Sequence, residues 1–139
     1  MPTARRGAAL AAALVLTLAA ACGDQGPVPA PGVLSARVAS PNGAEGAALL
    51  TVFGDGVVSV EEAGGRLFSR QHGGDSLRVV LFADQDGALH FRLAVADTTL
   101  RPEIALLEVA GPDDALRASL AGYEVELSAT RPATDGGGR

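Results

Sequence analysis

Three kinds of side chain here could do chemistry: a single cysteine, two histidines, and aspartates placed at turns. His72 opens the run His72-Gly73-Gly74-Asp75-Ser76, whose glycine N–H groups could face an oxyanion. Acyl transfer would also need a nucleophile on a Gly-x-Ser-x-Gly strand-to-helix turn, and the chain has no such run. His72 therefore reads as a polar turn residue. His90 lies between Leu89 and Phe91 on the polar side of an alternating run, and two histidines in separate elements do not define a metal site without further ligands. Asp84-Gln85-Asp86-Gly87 places acids at alternate positions, with Asp55 and Asp75 in other turns, so Asp84 and Asp86 are the candidate calcium ligands. Calcium takes six to eight oxygens, and no glutamate follows to complete an EF-hand loop. The stretch reads first as a hairpin turn in which Asp86 and Gly87 tolerate positive φ. No cofactor is implied.

Composition narrows the function classes. All 11 basic residues are arginines, and beyond Arg6 nine of them stand against 16 acidic residues, a net charge of −7. Phosphate backbones and anionic headgroups repel such a surface, so nucleic acid is a poor partner. One cysteine allows no internal disulfide and no thiolate cluster. At 139 residues, 47% hydrophobic and 19% charged, the chain can bury one core. With 18 glycines, 8 prolines and only 4% aromatics, it favours short elements joined by many turns.

Arg5 and Arg6 precede an uncharged stretch at 7–21 that ends in small residues before Cys22. That is the layout of a secretory signal peptide, and the stretch is shorter than the ~20 apolar residues a membrane span needs. Ala19-Ala20-Ala21-Cys22, preceded by Leu18, resembles the lipobox of bacterial lipoproteins, although Ala19 occupies the place three before the cysteine where that family usually has leucine. The resemblance implies cleavage after Ala21 and transfer of a diacylglyceryl group to the Cys22 thiol, its acyl chains being fatty acids such as palmitate. Each buried methylene contributes ~0.8 kcal/mol, so a multiply acylated Cys22 would hold the protein on a bilayer without any membrane-binding surface. Residue 23 is glycine, where aspartate would favour inner-membrane retention in that family. The expected location is the bacterial cell envelope, at the outer membrane or cell surface.

The domain plan is a signal peptide at 1–21, a Pro/Gly-rich tether at 22–32, a folded domain at 33–130 and a tail at 131–139. Pro27, Pro29 and Pro31 favour polyproline II, which at ~3.1 Å per residue would hold the domain up to ~30 Å above the lipid. In the folded part the dominant period is two. Leu89, Phe91, Leu93 and Val95 alternate with His90, Arg92 and Ala94; Tyr123, Val125 and Leu127 alternate with Glu124 and Glu126. Leu34, Ala36 and Val38 alternate with Ser35 and Arg37. SLRVVLF and GAALLTVF are more continuously apolar, which fits central strands covered on both sides. VVSVEE, RLFSRQ and EIALLEVA complete the set, and Gly-containing turns separate the runs. Seven to nine short strands predict an all-β antiparallel sandwich, jelly-roll or immunoglobulin-like. The stretch 113–121 reads either as a short helix capped by Asp113 and ended at Gly122 or as an irregular edge strand, and strand or loop with at most one helical turn is preferred.

The opening LLTVFGDGVVSV and the closing LLEVAGPDDALRASLAGYEVEL resemble the sandwich shared by cohesins and some carbohydrate-binding modules. The resemblance implies a nine-stranded jelly-roll-like sandwich with a binding role. The expected function is a lipid-anchored envelope module that binds a partner protein or supports an assembly; the alternative is a surface carbohydrate-binding module. The glycan alternative needs exposed coplanar aromatic rings. Phe91 and Tyr123 belong to apolar faces, Phe68 and Phe82 could lie on either side, and Tyr123 at the start of the last strand has the position of a tyrosine corner.

Overall fold

The structure is a computed structural model that describes Gly26 and residues 28–130. The signal peptide, Cys22, most of the tether and the tail lie outside the described residues. Eight strands follow in order: β1 Gly32–Ala39, β2 Ala47–Phe53, β3 Val57–Glu62, β4 Leu67–Gln71, β5 Ser76–Phe82, β6 His90–Val95, β7 Glu103–Ala110 and β8 Glu124–Ala129. Each of the eight apolar or alternating runs of the sequence forms one strand. Among the described residues there is no helix long and apolar enough to cross a membrane.

The strands form two four-stranded antiparallel sheets, β3-β6-β1-β8 and β4-β5-β2-β7. The pairs β1–β8, β2–β7, β3–β6 and β4–β5 are those of a long ribbon doubled on itself and rolled up, the pairing scheme of a jelly roll. Contacts β1–β6 and β2–β5 join the rolled pairs within each sheet. Every connection except β4–β5 passes from one sheet to the other. The loops therefore gather at two poles. One pole carries loops 40–46, 63–66, 83–89 and 111–123; the other carries 54–56, 72–75 and 96–102, together with the chain entering β1 and leaving β8.

The alternating residues fill the space between the sheets. Leu34, Ala36 and Val38 of β1 and Phe91, Leu93 and Val95 of β6 face Leu50 and Val52 of β2 and Val79 and Leu81 of β5, all buried. Burying such side chains contributes ~1.5–3 kcal/mol each, which is why the period-two pattern sets the register. In β7 the register shifts opposite Leu49 and Leu50, so Leu107 has no partner on β2 and bulges outward, 39% exposed.

The stretch 113–121 is loop. Leu116 and Leu120 have helical spacing, but Leu116 is exposed and reaches only an isolated bridge with Ala110. Asp114 has φ of 61°, which interrupts any helical run.

Candidate functional site: a loop-tied pole and an apolar sheet face

The most buried charge in the fold is Glu45, 2% exposed, in the loop between β1 and β2. Its backbone N–H donates to Gly87 O at 3.0 Å, and Gly46 N–H donates to Ala110 O at 2.8 Å, which fixes the loop across the end of both sheets. A Cβ on Gly46 would collide with the Gly111 carbonyl, so this crossing needs glycine. The carboxylate is then surrounded by donors. Ser40 Oγ donates to Oε1 at 2.6 Å and Tyr123 OH to the same oxygen at 2.5 Å. Arg117 donates to Oε2 through Nε at 3.0 Å and Nη2 at 2.8 Å. Asn42 Nδ2 donates to the Tyr123 hydroxyl at 2.8 Å.

Burial alone pushes the Glu45 carboxyl up, but the hydrogen bonds from Ser40, Tyr123 and Arg117, with the Arg117 charge, together outweigh it and hold the group below the usual glutamate range. All acceptor capacity on the carboxylate is spent on neighbours. It is a staple that ties loop 111–123 to loop 40–46, with no free oxygen for substrate. Tyr123 thus differs from a tyrosine corner: its hydroxyl reaches this carboxylate across the chain and not the backbone upstream.

The residues singled out from sequence are dispersed. His72 sits in the β4–β5 turn, where Arg78 Nη2 lies 3.0 Å from its Nε2. A guanidinium only donates, so Nε2 is the acceptor in this contact. His90 lies at the opposite pole on the outer side of β6, its Nε2 3.7 Å from Asp84 Oδ2. Asp84 Oδ1 accepts N–H bonds from Asp86 and Ala88, both at 2.9 Å, and Gly87 has φ of 76°. These bonds, led by that from Ala88, hold the Asp84 carboxyl below its usual range. The DQDG stretch is a turn closed by its own aspartate, and the Asp86 side chain is exposed. Among the described residues no group of three or more His, Cys, Asp and Glu could hold a metal ion. Asp55 and Asp75 do meet, at the pole away from Asp84, and Asp55 raises the Asp75 carboxyl above its usual range by hydrogen bonding and by repulsion.

A cleft of about 410 Å³ opens at the same pole, between Phe53, Asp55, Leu100 and Arg101. Asp97, on its wall, is occupied in its own turn, with Oδ1 accepting from Thr99 N–H at 2.8 Å and Thr99 Oγ1 at 2.7 Å. The cleft offers no nucleophile beside a base.

The outer faces of the two sheets differ more than any pocket. On β3-β6-β1-β8 the outward residues include Glu61, Arg92, His90, Arg37, Ser35, Glu124 and Glu126, as alternation requires. On β4-β5-β2-β7 they include Phe68, Val80, Phe82, Leu49, Phe53 and Ala105, with the bulged Leu107. Phe68 is 58% exposed, Phe82 42% and Phe53 41%. The rings of Phe68 and Phe82 meet edge to face, centroids 6.2 Å apart and planes at 89°, and Arg66 lies 6.0 Å from the Phe68 ring. β2 and β5 are central, as the continuous apolar runs predict, but among the described residues no layer covers their outer side. Sequence reasoning left Phe68 and Phe82 open between core and surface; pairing of Phe68 with Val80 in β4–β5 resolves it.

Comparisons of the chain with protein-family models, curated proteins and solved structures gave no match.

Proposed function

We propose that the protein is a non-catalytic, lipid-anchored module of the bacterial envelope, held to a membrane through Cys22, whose outer β4-β5-β2-β7 face binds a protein partner. The carrying observation is that face. Three exposed phenylalanines, Leu107 and the half-buried Leu49 and Val80 lie on this one face, across all four strands and crossed by the row of Arg70, Arg78 and Thr51, and exposed apolar patches rimmed by charge mark interaction sites. The perpendicular Phe68 and Phe82 rings favour a protein partner over a glycan, because two rings at 89° cannot both lie flat on one run of pyranose rings. The polar groups support the same reading: Glu45, Asp84 and Asp97 are each committed to internal hydrogen bonds. The Pro-rich tether would present the domain clear of the headgroups.

Complementation of a gene deletion tests this. The double variant Phe68→Ser/Phe82→Ser should stay folded and lose complementation, whereas His72→Ala/His90→Ala should retain it. Loss of function in the folded histidine variant would replace the surface reading with a catalytic or metal-dependent one. For the anchor, the intact mass of the mature protein should show a diacylglyceryl-modified Cys22; an unmodified thiol would remove it.

A further inference from the structure

We propose that the occupant of the β4-β5-β2-β7 face is the same face of a second copy of this chain, related by a two-fold axis running along the strands. The inference rests on the interaction reading above and names its partner. Continuously apolar strands belong where both faces are covered. In β2 and β5 the inner residues Leu50, Val52, Val79 and Leu81 are buried by the opposite sheet, while outward Leu49, Val80, Phe53 and Phe82 have no layer upon them among the described residues; outward Thr51 and Ser76 are buried among their neighbours, and Arg78 lies level with Thr51 as the one charge on the two central strands. A second identical face would supply that layer.

The charges at the two edges choose the partner. On the β4 side stand exposed Arg66 and Arg70; on β7 stand exposed Glu103 and Glu108. Register fixes their heights along the strands. Phe53 is level with Glu103, Thr51 with Arg78 and so with Arg70, Leu49 with Val80 and Glu108, and Ala47 with Phe82, beside which Arg66 lies. From one pole to the other the sequence of heights is Glu103, Arg70, Glu108, Arg66. A two-fold axis along the strands lays β4 of one copy over β7 of the other, so the arginines of one edge fall between and beyond the glutamates of the other, each ~7 Å from the next in projection. An axis across the strands would instead lay Arg66 and Arg70 on their own copies, and like charges face to face cost affinity.

The chain ends choose the same axis. β1 begins opposite Val95 and β8 ends opposite Leu34, so the chain enters and leaves the domain at one pole. Rotation about an axis along the strands keeps both entry points on one side, and two tethers then reach one membrane. Rotation about an axis across the strands would send them to opposite ends. Four strands ~4.8 Å apart and seven residues at ~3.4 Å each make a face of about 450 Å² in plan, below the ~800 Å² per partner of a standard interface. The pair is therefore weak in dilute solution, and confinement on a membrane supplies the concentration it needs.

The test uses full-length copies fused at the C-terminus to donor and acceptor fluorescent proteins and co-expressed in one cell. Wild-type copies should show energy transfer above that of an unrelated membrane-anchored pair. Arg66→Glu/Arg70→Glu makes both edges acidic and Glu103→Arg/Glu108→Arg makes both basic, so each should lose the specific transfer with itself by at least about tenfold. Mixing the acidic and basic variants should restore it to the wild-type level. Circular dichroism checks folding, and Arg70→Glu with Glu108→Arg serves if a double variant fails to fold. No specific transfer in the wild type, or a mixture no better than the like pairs, overturns the self-pairing. In that case Phe68→Ser/Phe82→Ser complementation still separates the outcomes: its loss keeps the face and assigns it a different protein, and its survival removes the face as well.

Discussion

The two outer sheet faces sit on one scaffold with the same strand count and the same antiparallel pairing, yet only one resembles an ordinary solvated surface. On β3-β6-β1-β8 each buried residue alternates with a charged or polar one, as Phe91 does with His90 and Arg92. On β4-β5-β2-β7 part of the alternation is between apolar and apolar: Val79 and Leu81 point inward while Val80 and Phe82 point outward, with Arg78 and Thr51 the polar row beside them. Stability explains the inward residues of both sheets and only the first sheet's outward ones. The proposed binding role assigns the surplus hydrophobicity of the second sheet's outer side to contact with a partner.

The sharpest way to break this contrast is on β6. Phe91→Asp places a carboxylate between the sheets and should unfold the domain, a cost of several kcal/mol against a total of roughly 5–15 kcal/mol, whereas Arg92→Asp should stay within about 0.5 kcal/mol. Thermal melts of the two variants compare an inner with an outer neighbour directly. Equal damage would show that the two sides of this sheet are not distinct.

Next in size is the staple that holds the loops at one pole. Glu45→Ala leaves the Arg117 guanidinium and two hydroxyls without their acceptor and should cost about 3 kcal/mol by denaturant unfolding. The Glu45 carboxyl is held below its unfolded range, so its contribution is full above pH ~4.3 and is lost as pH falls through the lower folded value. Glu45→Gln should accordingly flatten the acid side of the stability profile. An unchanged acid limb would mean the carboxylate is not ionised in its site.

On the apolar face the expected stability effects are small and the binding effects large. Phe82→Ser should alter stability by less than about 1 kcal/mol, because the ring is 42% exposed, and should reduce the binding of a hydrophobic dye. The matching variant on the other face, Arg92→Ser, should change neither. The smallest effect is at Asp75. Asp55 raises its folded pKa, so whatever it contributes is present below the unfolded value and is lost as pH rises through the folded one. Asp75→Asn should slightly raise the melting temperature at pH 7 and leave it unchanged at pH 3.

Much of this was legible locally. Alternation and apolar runs bounded by turns are short-range patterns, so together they located all eight strands, and alternation set the buried side of β1 and β6. The Glu45 staple was not legible. A lone glutamate in Pro41-Asn42-Gly43-Ala44-Glu45-Gly46 reads as a solvated turn residue, and two of its three side-chain partners lie 72 and 78 positions away in sequence. The preference for loop or strand at 113–121 holds despite the helical spacing of Leu116 and Leu120, and Arg117 of that segment binds Glu45. The apolar face was half legible. Continuous hydrophobicity in β2 and β5 placed both strands at the centre of a sheet and predicted cover on each side, and a two-layer fold supplies cover on one.

The central claim is that the uncovered side of β4-β5-β2-β7 is where this protein meets its partner. A photo-crosslinking amino acid at position 82, and separately at position 92, in the full-length protein in living cells tests it most directly. The account predicts protein adducts from position 82 and none from position 92. Adducts from position 92 alone, or equal yields from both, would contradict it.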